Sequence, residues 1–179
     1  MLLTLDFETH KIVNGSALPP KPVGLAIKEN DNPGKYYAWG HLDNNNCSSE
    51  EAKEIVNKFN TKDTHWIFHN AKFDLSVMQS HWNVSPVAIV EDTMVMAFLA
   101  NPHAKSVALK TLAYKELEWP SIEQDDLTKW IVENVKKSTE KNAGAYISQA
   151  PGDLVGTYAI GDVDRTFALY NYYKGLIDE

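Results

Sequence analysis

A chain of 179 residues with 44% hydrophobic content is long enough for one domain with a buried core. Its single cysteine, Cys47, excludes an internal disulfide and a cysteine-based zinc cluster. The formal net charge of -7, with no basic run longer than Lys136-Lys137, argues against a free-standing module that binds nucleic acid through a basic surface. There is no signal-peptide pattern, and the longest apolar run, 94–100, is too short to cross a bilayer, so we expect a cytoplasmic protein without membrane partners.

The predicted elements change from strands to helices along the chain. Apolar runs bounded by turn residues predict strands over 2–7, 22–28, 35–39, 64–68 and 87–90. Periodicity and capping residues predict helices over 49–59, 71–81, 94–99, 107–115, 123–141 and 153–174, with a loop over 142–152. Short turns between the first three strands favour an antiparallel meander. Together with the later strand–helix alternation, this order indicates a single α/β domain with a mixed sheet.

The first predicted strand carries two acids, Asp6 and Glu8, in the run LDFETH. Alternate side chains of a strand share one face, so these two acids project together while Leu5 and Phe7 face the other way. A buried strand tolerates ionised carboxylates only when they are paired or bind a metal. Taken alone, Glu8 can equally lie beyond the end of the strand in solvent.

A third acid, Asp74, lies in the first turn of the helix that follows the strand 64–68. Loops at strand ends are where α/β sheets place their ligand sites. The bland alternative for Asp74 is a favourable contact with the helix dipole. Asn70 stands just before this helix, where its amide either caps the helix or reaches a substrate.

Tyr158 and Asp162 are four residues apart in the run YAIGD of the last predicted helix. The apolar stripe of this helix places both at the border of its core face, where a half-buried group still reaches a cleft. Asp164 lies about 200° around the helix from Asp162 and is predicted to face solvent. Acids from three separate segments that converge on folding form a site for two divalent metals, which is typical of phosphodiester chemistry.

In this order, LDFETH, HNAKFD and YAIGD resemble the three motifs of the DEDD superfamily of 3′-5′ exonucleases. The tyrosine four residues before the final acid is typical of the tyrosine subclass, which includes family A polymerase proofreading domains and ribonuclease D. Similarity is greatest to the proofreading domains of phage family A DNA polymerases, in PVGLAIK, AWGH, EDTMVMAFLANP, ALKTLA and APGDLVGTYAIGDVDRT. Because no polymerase region follows residue 179, we expect either a stand-alone exonuclease or a proofreading domain without its polymerase.

The resemblance implies an RNase H-like fold, a mixed five-stranded sheet flanked by helices, as a single exonuclease domain over residues 1–179. It implies two divalent ions, Mg²⁺ with Mn²⁺ as a substitute, because both favour oxygen ligands. The carboxylates implied to hold these ions are Asp6, Glu8, Asp74 and Asp162. Tyr158 would orient the attacking water, and Thr9 and Asn70 would contact the 3′ end of the substrate. His69 and Phe73 are weaker candidates for substrate contact.

The expected substrate is a single-stranded DNA 3′ end, hydrolysed to nucleoside 5′-monophosphates. An RNase D-like exoribonuclease is the alternative enzyme, because metal chemistry ignores the 2′ hydroxyl unless the cleft reads it. A non-catalytic nucleic-acid or polymerase-interaction module is the alternative outside enzymes. The acidic charge suggests that a DNA polymerase or other replication protein helps to deliver the strand, in the host-cell cytoplasm if the chain is phage-encoded. Lys105 and Lys110 flank a segment that either follows a phosphate backbone or carries two solvated lysines at helix ends, and we expect the second.

Overall fold

The computed structural model describes residues 1–178, and a five-stranded mixed sheet lies at the centre of this part of the chain. The strands are β1 (Leu2–Thr9), β2 (Pro22–Glu29), β3 (Lys35–Ala38), β4 (His65–Phe68) and β5 (Ile89–Asp92). Their order across the sheet is β3-β2-β1-β4-β5. The first three strands pair antiparallel, as predicted, although the connection from β1 to β2 spans residues 10–21 and is not a short turn. Strand β4 pairs in parallel with β1 and β5. The predicted mixed five-stranded α/β fold is confirmed.

Helices cover both faces of this sheet. They are α1 (Ser49–Lys58), α2 (Ala71–Trp82), α3 (Thr93–Ala100), α4 (Leu109–Leu117), α5 (Ile122–Asn134), a 3-10 helix (Ala143–Gln149) and α6 (Gly152–Ile177). Ser48 caps α1 in a capping box with Glu51, which satisfies two backbone N–H groups that would otherwise lack partners. Within residues 1–178, no helix has both the length and the apolar character needed to cross a membrane.

The two faces of β1 point into different layers. Leu3, Leu5 and Phe7 are buried in the core formed with α1 and α2. The opposite face of the sheet is covered by α6, whose Val155 and Ala159 pack in a second core with Ala26 of β2. Ala26 is the register partner of Asp6, so Asp6 faces the α6 layer. The alternation of β1 therefore brings its acids toward the last helix.

Several predicted boundaries of strands and helices are wrong. Near two of these boundaries, side chains form hydrogen bonds with backbone groups. The strand predicted over 87–90 begins at Ile89, since the Asn60 amide oxygen accepts hydrogen bonds from the N–H groups of Val87 and Ala88. Helix α5 ends at Asn134 instead of near residue 141. There the Ser138 hydroxyl donates to carbonyls of the last turn, and Lys137 adopts a left-handed φ of 66°. The segment predicted as a loop over 142–152 contains the 3-10 helix.

Candidate metal centre

Three carboxylates from two elements meet between the sheet and α6. Oxygens of Asp6, Glu8 and Asp162 lie within 4.8 Å of one another. The two β1 acids share a face through strand alternation, and the packing of α6 on that face adds the third. Glu8 and Asp162 are buried, so Glu8 lies in the sheet and not in solvent beyond the strand end. Oxygen atoms from separate elements at this spacing fit a divalent cation that prefers oxygen ligands.

The electrostatics of these acids favour an added cation. Burial, followed by repulsion from Asp162, raises the pKa of Asp6 from 3.8 to about 7. Burial and the charges of Asp6 and Asp162 raise the pKa of Glu8 well above its usual value. A divalent ion would stabilise the ionised form of these carboxylates.

Asp74, the fourth predicted acid, is not part of this group of three carboxylates. Of the described acids, those whose oxygens fall within 4.8 Å of one another are Asp6, Glu8 and Asp162, and Asp74 is outside that set. It is buried at the start of α2, and its Oδ1 accepts a hydrogen bond of 2.9 Å from the Phe7 N–H. Burial and the nearby charge of Asp6 raise its pKa well above the usual value. Asp74 thus forms a hydrogen bond with the β1 backbone at the residue between Asp6 and Glu8.

Tyr158 and Asp162 lie together on α6, and both contact Lys110. The Lys110 Nζ is 2.9 Å from Asp162 Oδ1 and 3.1 Å from both Asp162 Oδ2 and the Tyr158 hydroxyl oxygen. The ammonium also lies 4.5 Å from the centre of the Tyr158 ring. The prediction that Lys110 is a solvated lysine is therefore wrong. Only tertiary packing of α4 against α6 brings it to the site, although it stands in the quoted run ALKTLA.

Arg165 is a second cation that the sequence did not single out. It is 1% exposed, one turn beyond Asp162 on α6, and its Nη1 is 3.7 Å from Asp162 Oδ1. The guanidinium is held by the Glu123 carboxylate and the Pro120 carbonyl oxygen, which ties the start of α5 to α6. A side chain on Gly161 would collide with the Glu123 carboxylate, so the absence of a Cβ there permits this pair. No sequence periodicity pointed to Arg165.

Asp164 is correctly outside the acid cluster, but it does not face open solvent. Its side chain is 31% exposed and forms a salt bridge of 3.0 Å with the buried Lys28 on β2. The difference arises because α6 packs over β2 as well as β1. An acid on the far flank of α6 therefore still meets the sheet.

Asn70 does not cap α2. It occupies the N-cap position with a left-handed φ of 72°, and its side chain forms no capping hydrogen bond. The Asp92 carboxylate accepts hydrogen bonds from the N–H groups of Asn70 and Ala71 at 3.0 and 2.9 Å. Asp92 also caps α3 through Met94 N–H. This double cap comes from a neighbouring strand, so sequence order alone did not reveal it.

Three other residues were predicted to contact the substrate: Thr9, Phe73 and His69. Thr9 ends β1 beside a register irregularity after Glu8, and its hydroxyl donates to the His10 carbonyl at 2.9 Å. Phe73 packs partly against the core and also lines a cavity of about 400 Å³ with Asn70, Lys72 and side chains from the segment 12–20. The His69 ring is held between the Thr93 hydroxyl and the Val107 carbonyl oxygen, each at 2.8 Å. These contacts give His69 a structural role.

A family model of 3′-5′ exonucleases matches residues 3–177. The chain belongs to the 3′-5′ exonuclease family. As a member of that family it is a metal-dependent nuclease, and the cluster of Asp6, Glu8 and Asp162 is a group of acids that could hold a metal ion. No curated protein sequence gives a significant match.

Solved structures with this exonuclease fold share little sequence with the chain. Brucella melitensis NrnC bound to pGG aligns with a TM-score of 0.64 and 17% identity, over 97% of this chain and 72% of NrnC. Trypanosoma brucei RNase D aligns with a TM-score of 0.67 and 13% identity, over 96% of this chain and 57% of RNase D. Escherichia coli RNase D has a TM-score of 0.59 and 14% identity, over 97% and 38% of the two chains. At these identities the similarity establishes the fold, which confirms the predicted RNase H-like nuclease architecture.

Proposed function

We propose that residues 1–179 form one exonuclease domain that hydrolyses single-stranded DNA from its 3′ end and releases nucleoside 5′-monophosphates. The observation that carries this proposal is the convergence of Asp6, Glu8 and Asp162 oxygens within 4.8 Å. A family match over residues 3–177 supports 3′-5′ polarity. The likeness of the sequence to proofreading domains of phage family A polymerases supports DNA as the substrate.

Two Mg²⁺ ions, with Mn²⁺ as a substitute, are the proposed cofactors. The residues proposed to hold them are Asp6, Glu8, Asp74 and Asp162. When bound, such ions lower the pKa of an attacking water and neutralise charge on the scissile phosphate. Oxygen-only donors and the lack of a cysteine cluster favour Mg²⁺ or Mn²⁺ over zinc. Asp162 Oδ1 already lies 2.9 Å from the Lys110 ammonium, which shows that this oxygen is placed to pair with a cation.

Tyr158 is proposed to orient the attacking water, which would assign the chain to the tyrosine subclass. Burial and the charge of Asp162 raise the pKa of Tyr158 well above its usual value. The phenol therefore stays protonated at neutral pH and acts as a hydrogen-bond donor, not as a base. Its position beside Asp162, through their shared partner Lys110, supports a role at the reacting atoms.

Thr9 and Asn70 are proposed to bind the terminal nucleotide. Asn70 supports this role because its side chain does not cap α2. The adjacent cavity offers the partly buried Phe73 and the exposed side chains of Ile12 and Leu18, which suit contact with an unstacked base. Lys72 also lines this cavity, so one cation and several apolar side chains are available to bind the end of a strand without an extended basic surface.

RNA is the second candidate substrate. It is favoured by the solved structures with this fold, among them Trypanosoma brucei RNase D in complex with RNA U12. The acid cluster does not distinguish the sugars, since the 2′ hydroxyl is recognised by groups around it. With DNA as substrate, the acidic chain would rely on a polymerase or another replication protein to deliver the strand.

The experiment that tests the proposal compares 5′-labelled single-stranded DNA and RNA of one length and sequence, with Mg²⁺, Mn²⁺ or EDTA. A descending ladder on DNA that requires metal is the expected result. A ladder on RNA alone would replace DNA with the second candidate. Absence of a ladder on both, from folded protein in either metal, would contradict the proposed activity and favour a binding module. Chromatography of the products identifies 5′-monophosphates.

A further inference from the structure

The Lys110 ammonium lies against Asp162, where a metal ion bound by the acid cluster would also contact this carboxylate. Its ammonium bridges both oxygens of Asp162, at 2.9 and 3.1 Å, and also contacts the Tyr158 hydroxyl at 3.1 Å. Its charge reaches further, because it opposes the upward shift of the pKa of both Asp6 and Glu8. One flexible side chain therefore supplies positive charge to the same acids that are proposed to hold the metal.

The second cation near Asp162 is held differently. Arg165 is buried, and Glu123 and the Pro120 carbonyl fix its guanidinium. The Lys110 side chain is 22% exposed, and its salt bridge is with Asp162. A lysine ammonium on a four-carbon stem moves at little cost, whereas a clamped buried guanidinium does not. Lys110 is thus the cation that can leave Asp162.

We propose that Lys110 is a positioning residue that acts as a built-in counter-cation: it neutralises Asp162 in the metal-free protein and competes with a divalent ion for the same carboxylate. The inference rests on the proposed function in that Asp162 is taken as a metal ligand. The Lys110 ammonium and a divalent ion bound to the same two oxygens of Asp162 would be close enough to repel each other strongly. Metal binding therefore displaces the ammonium from Asp162, and the lysine lowers the affinity for the metal.

Calorimetric titration with MnCl₂ tests this competition. The titration is run at about pH 8, because metal binding requires deprotonated carboxylates. Lys110→Met keeps the length of the side chain and removes the charge. We expect it to bind Mn²⁺ at least about fivefold more tightly than wild type, the lower end of typical coupling between two sites. Lys110→Arg keeps the charge and should bind close to the wild-type affinity.

Lys105→Met is the matched control. Lys105 is exposed in the same segment, so its loss changes the net charge equally without touching the acids. We expect its affinity for Mn²⁺ to equal that of wild type. Unchanged or weaker binding by Lys110→Met, alongside normal binding by wild type, would overturn this inference and leave the proposed function intact. No binding of Mn²⁺ by wild type would contradict the proposed function and, with it, the inference.

Lysine labelling of the wild-type protein provides a test that does not depend on folding of a variant. The metal-free and Mn²⁺-saturated proteins are treated with an amine-reactive reagent, and each lysine is quantified by mass spectrometry. We expect Lys110 to react faster when Mn²⁺ is bound, because its ammonium no longer contacts Asp162, while Lys105 reacts equally in both states. Equal or slower labelling of Lys110 in the saturated protein would contradict displacement.

Discussion

The backbone N–H of Phe7 donates a 2.9 Å hydrogen bond to Oδ1 of Asp74, which joins β1 to the first turn of α2. Because this N–H lies between Asp6 and Glu8 in the chain, the bond fixes the strand at the point where it presents its two acids. Asp74 therefore has a structural task in addition to its proposed place among the metal ligands.

Two substitutions at Asp74 separate these tasks. Asp74→Asn and Asp74→Ala both remove the charge, but asparagine retains an oxygen for Phe7 N–H. We expect Asp74→Ala to be less stable than Asp74→Asn by about 1–3 kcal/mol, the cost of a buried polar group without a partner. Urea unfolding in EDTA measures this difference, and equal stability of the two variants would show that the hydrogen bond contributes nothing.

Tyr158→Phe should slow turnover less than the loss of a metal ligand. A hydrogen bond to a charged partner contributes about 1.5–3 kcal/mol, so we expect kcat to fall about 10- to 100-fold with little change in KM. Single-turnover hydrolysis of a DNA strand with Mg²⁺ measures this change. A rate as low as that of Asp162→Asn would mean that the phenol does more than orient water.

The pKa of Asp6 predicts how pH affects the metal-free protein. Between the unfolded pKa of about 4 and the folded pKa of about 7, the folded state holds a proton that the unfolded state has released. This carboxyl therefore lowers the free energy of unfolding as pH rises through that range. The histidines His41 and His69 act in the opposite direction, because burial lowers their pKa values.

Asp6→Asn removes this carboxyl and its repulsion of Glu8 and Asp74, while the two histidines stay in place. In EDTA, we expect the variant to gain stability relative to wild type as pH rises from about 4 to about 7. In wild type, the thermal shift caused by Mn²⁺ should grow over the same range, since the metal requires ionised ligands. Thermal unfolding at several pH values measures both effects. A constant difference between variant and wild type would refute the raised pKa of Asp6.

Local patterns predicted which acids share a face, and the order of the three motifs, through its resemblance to the exonucleases, singled these acids out as one site. The strand period of two places Asp6 and Glu8 on one face, and the four-residue spacing of Tyr158 and Asp162 keeps them together on α6. The mixed sheet also followed from local signals, because the turn between β2 and β3 and the helical crossovers limit how strands pair.

Contacts between distant segments were beyond the reach of these patterns. Lys110 meets Asp162 across 52 residues of chain, and Asp92 caps a helix that begins 21 residues earlier. Arg165 was missed for the same reason, since its partners Glu123 and Pro120 come from another element. Asn70 is a common capping residue, but its left-handed backbone is accompanied by no capping hydrogen bond from its side chain. The Asp92 carboxylate accepts the hydrogen bonds at the start of α2 instead.

The most direct test of the acid cluster compares two aspartates of α6 that are two residues apart. Asp162→Asn removes a proposed metal ligand, while Asp164→Asn removes a carboxylate that pairs with Lys28 outside the cluster. The measurement is release of nucleotides from a 5′-labelled single strand in Mg²⁺, with folding verified by circular dichroism. We predict that Asp162→Asn lowers the rate more than about 100-fold, because mutation of residues that only hydrogen-bond to metal ligands already lowers activity about 10- to 100-fold. We predict that Asp164→Asn keeps a rate close to that of wild type. A folded Asp162→Asn with a near-wild-type rate would contradict the account.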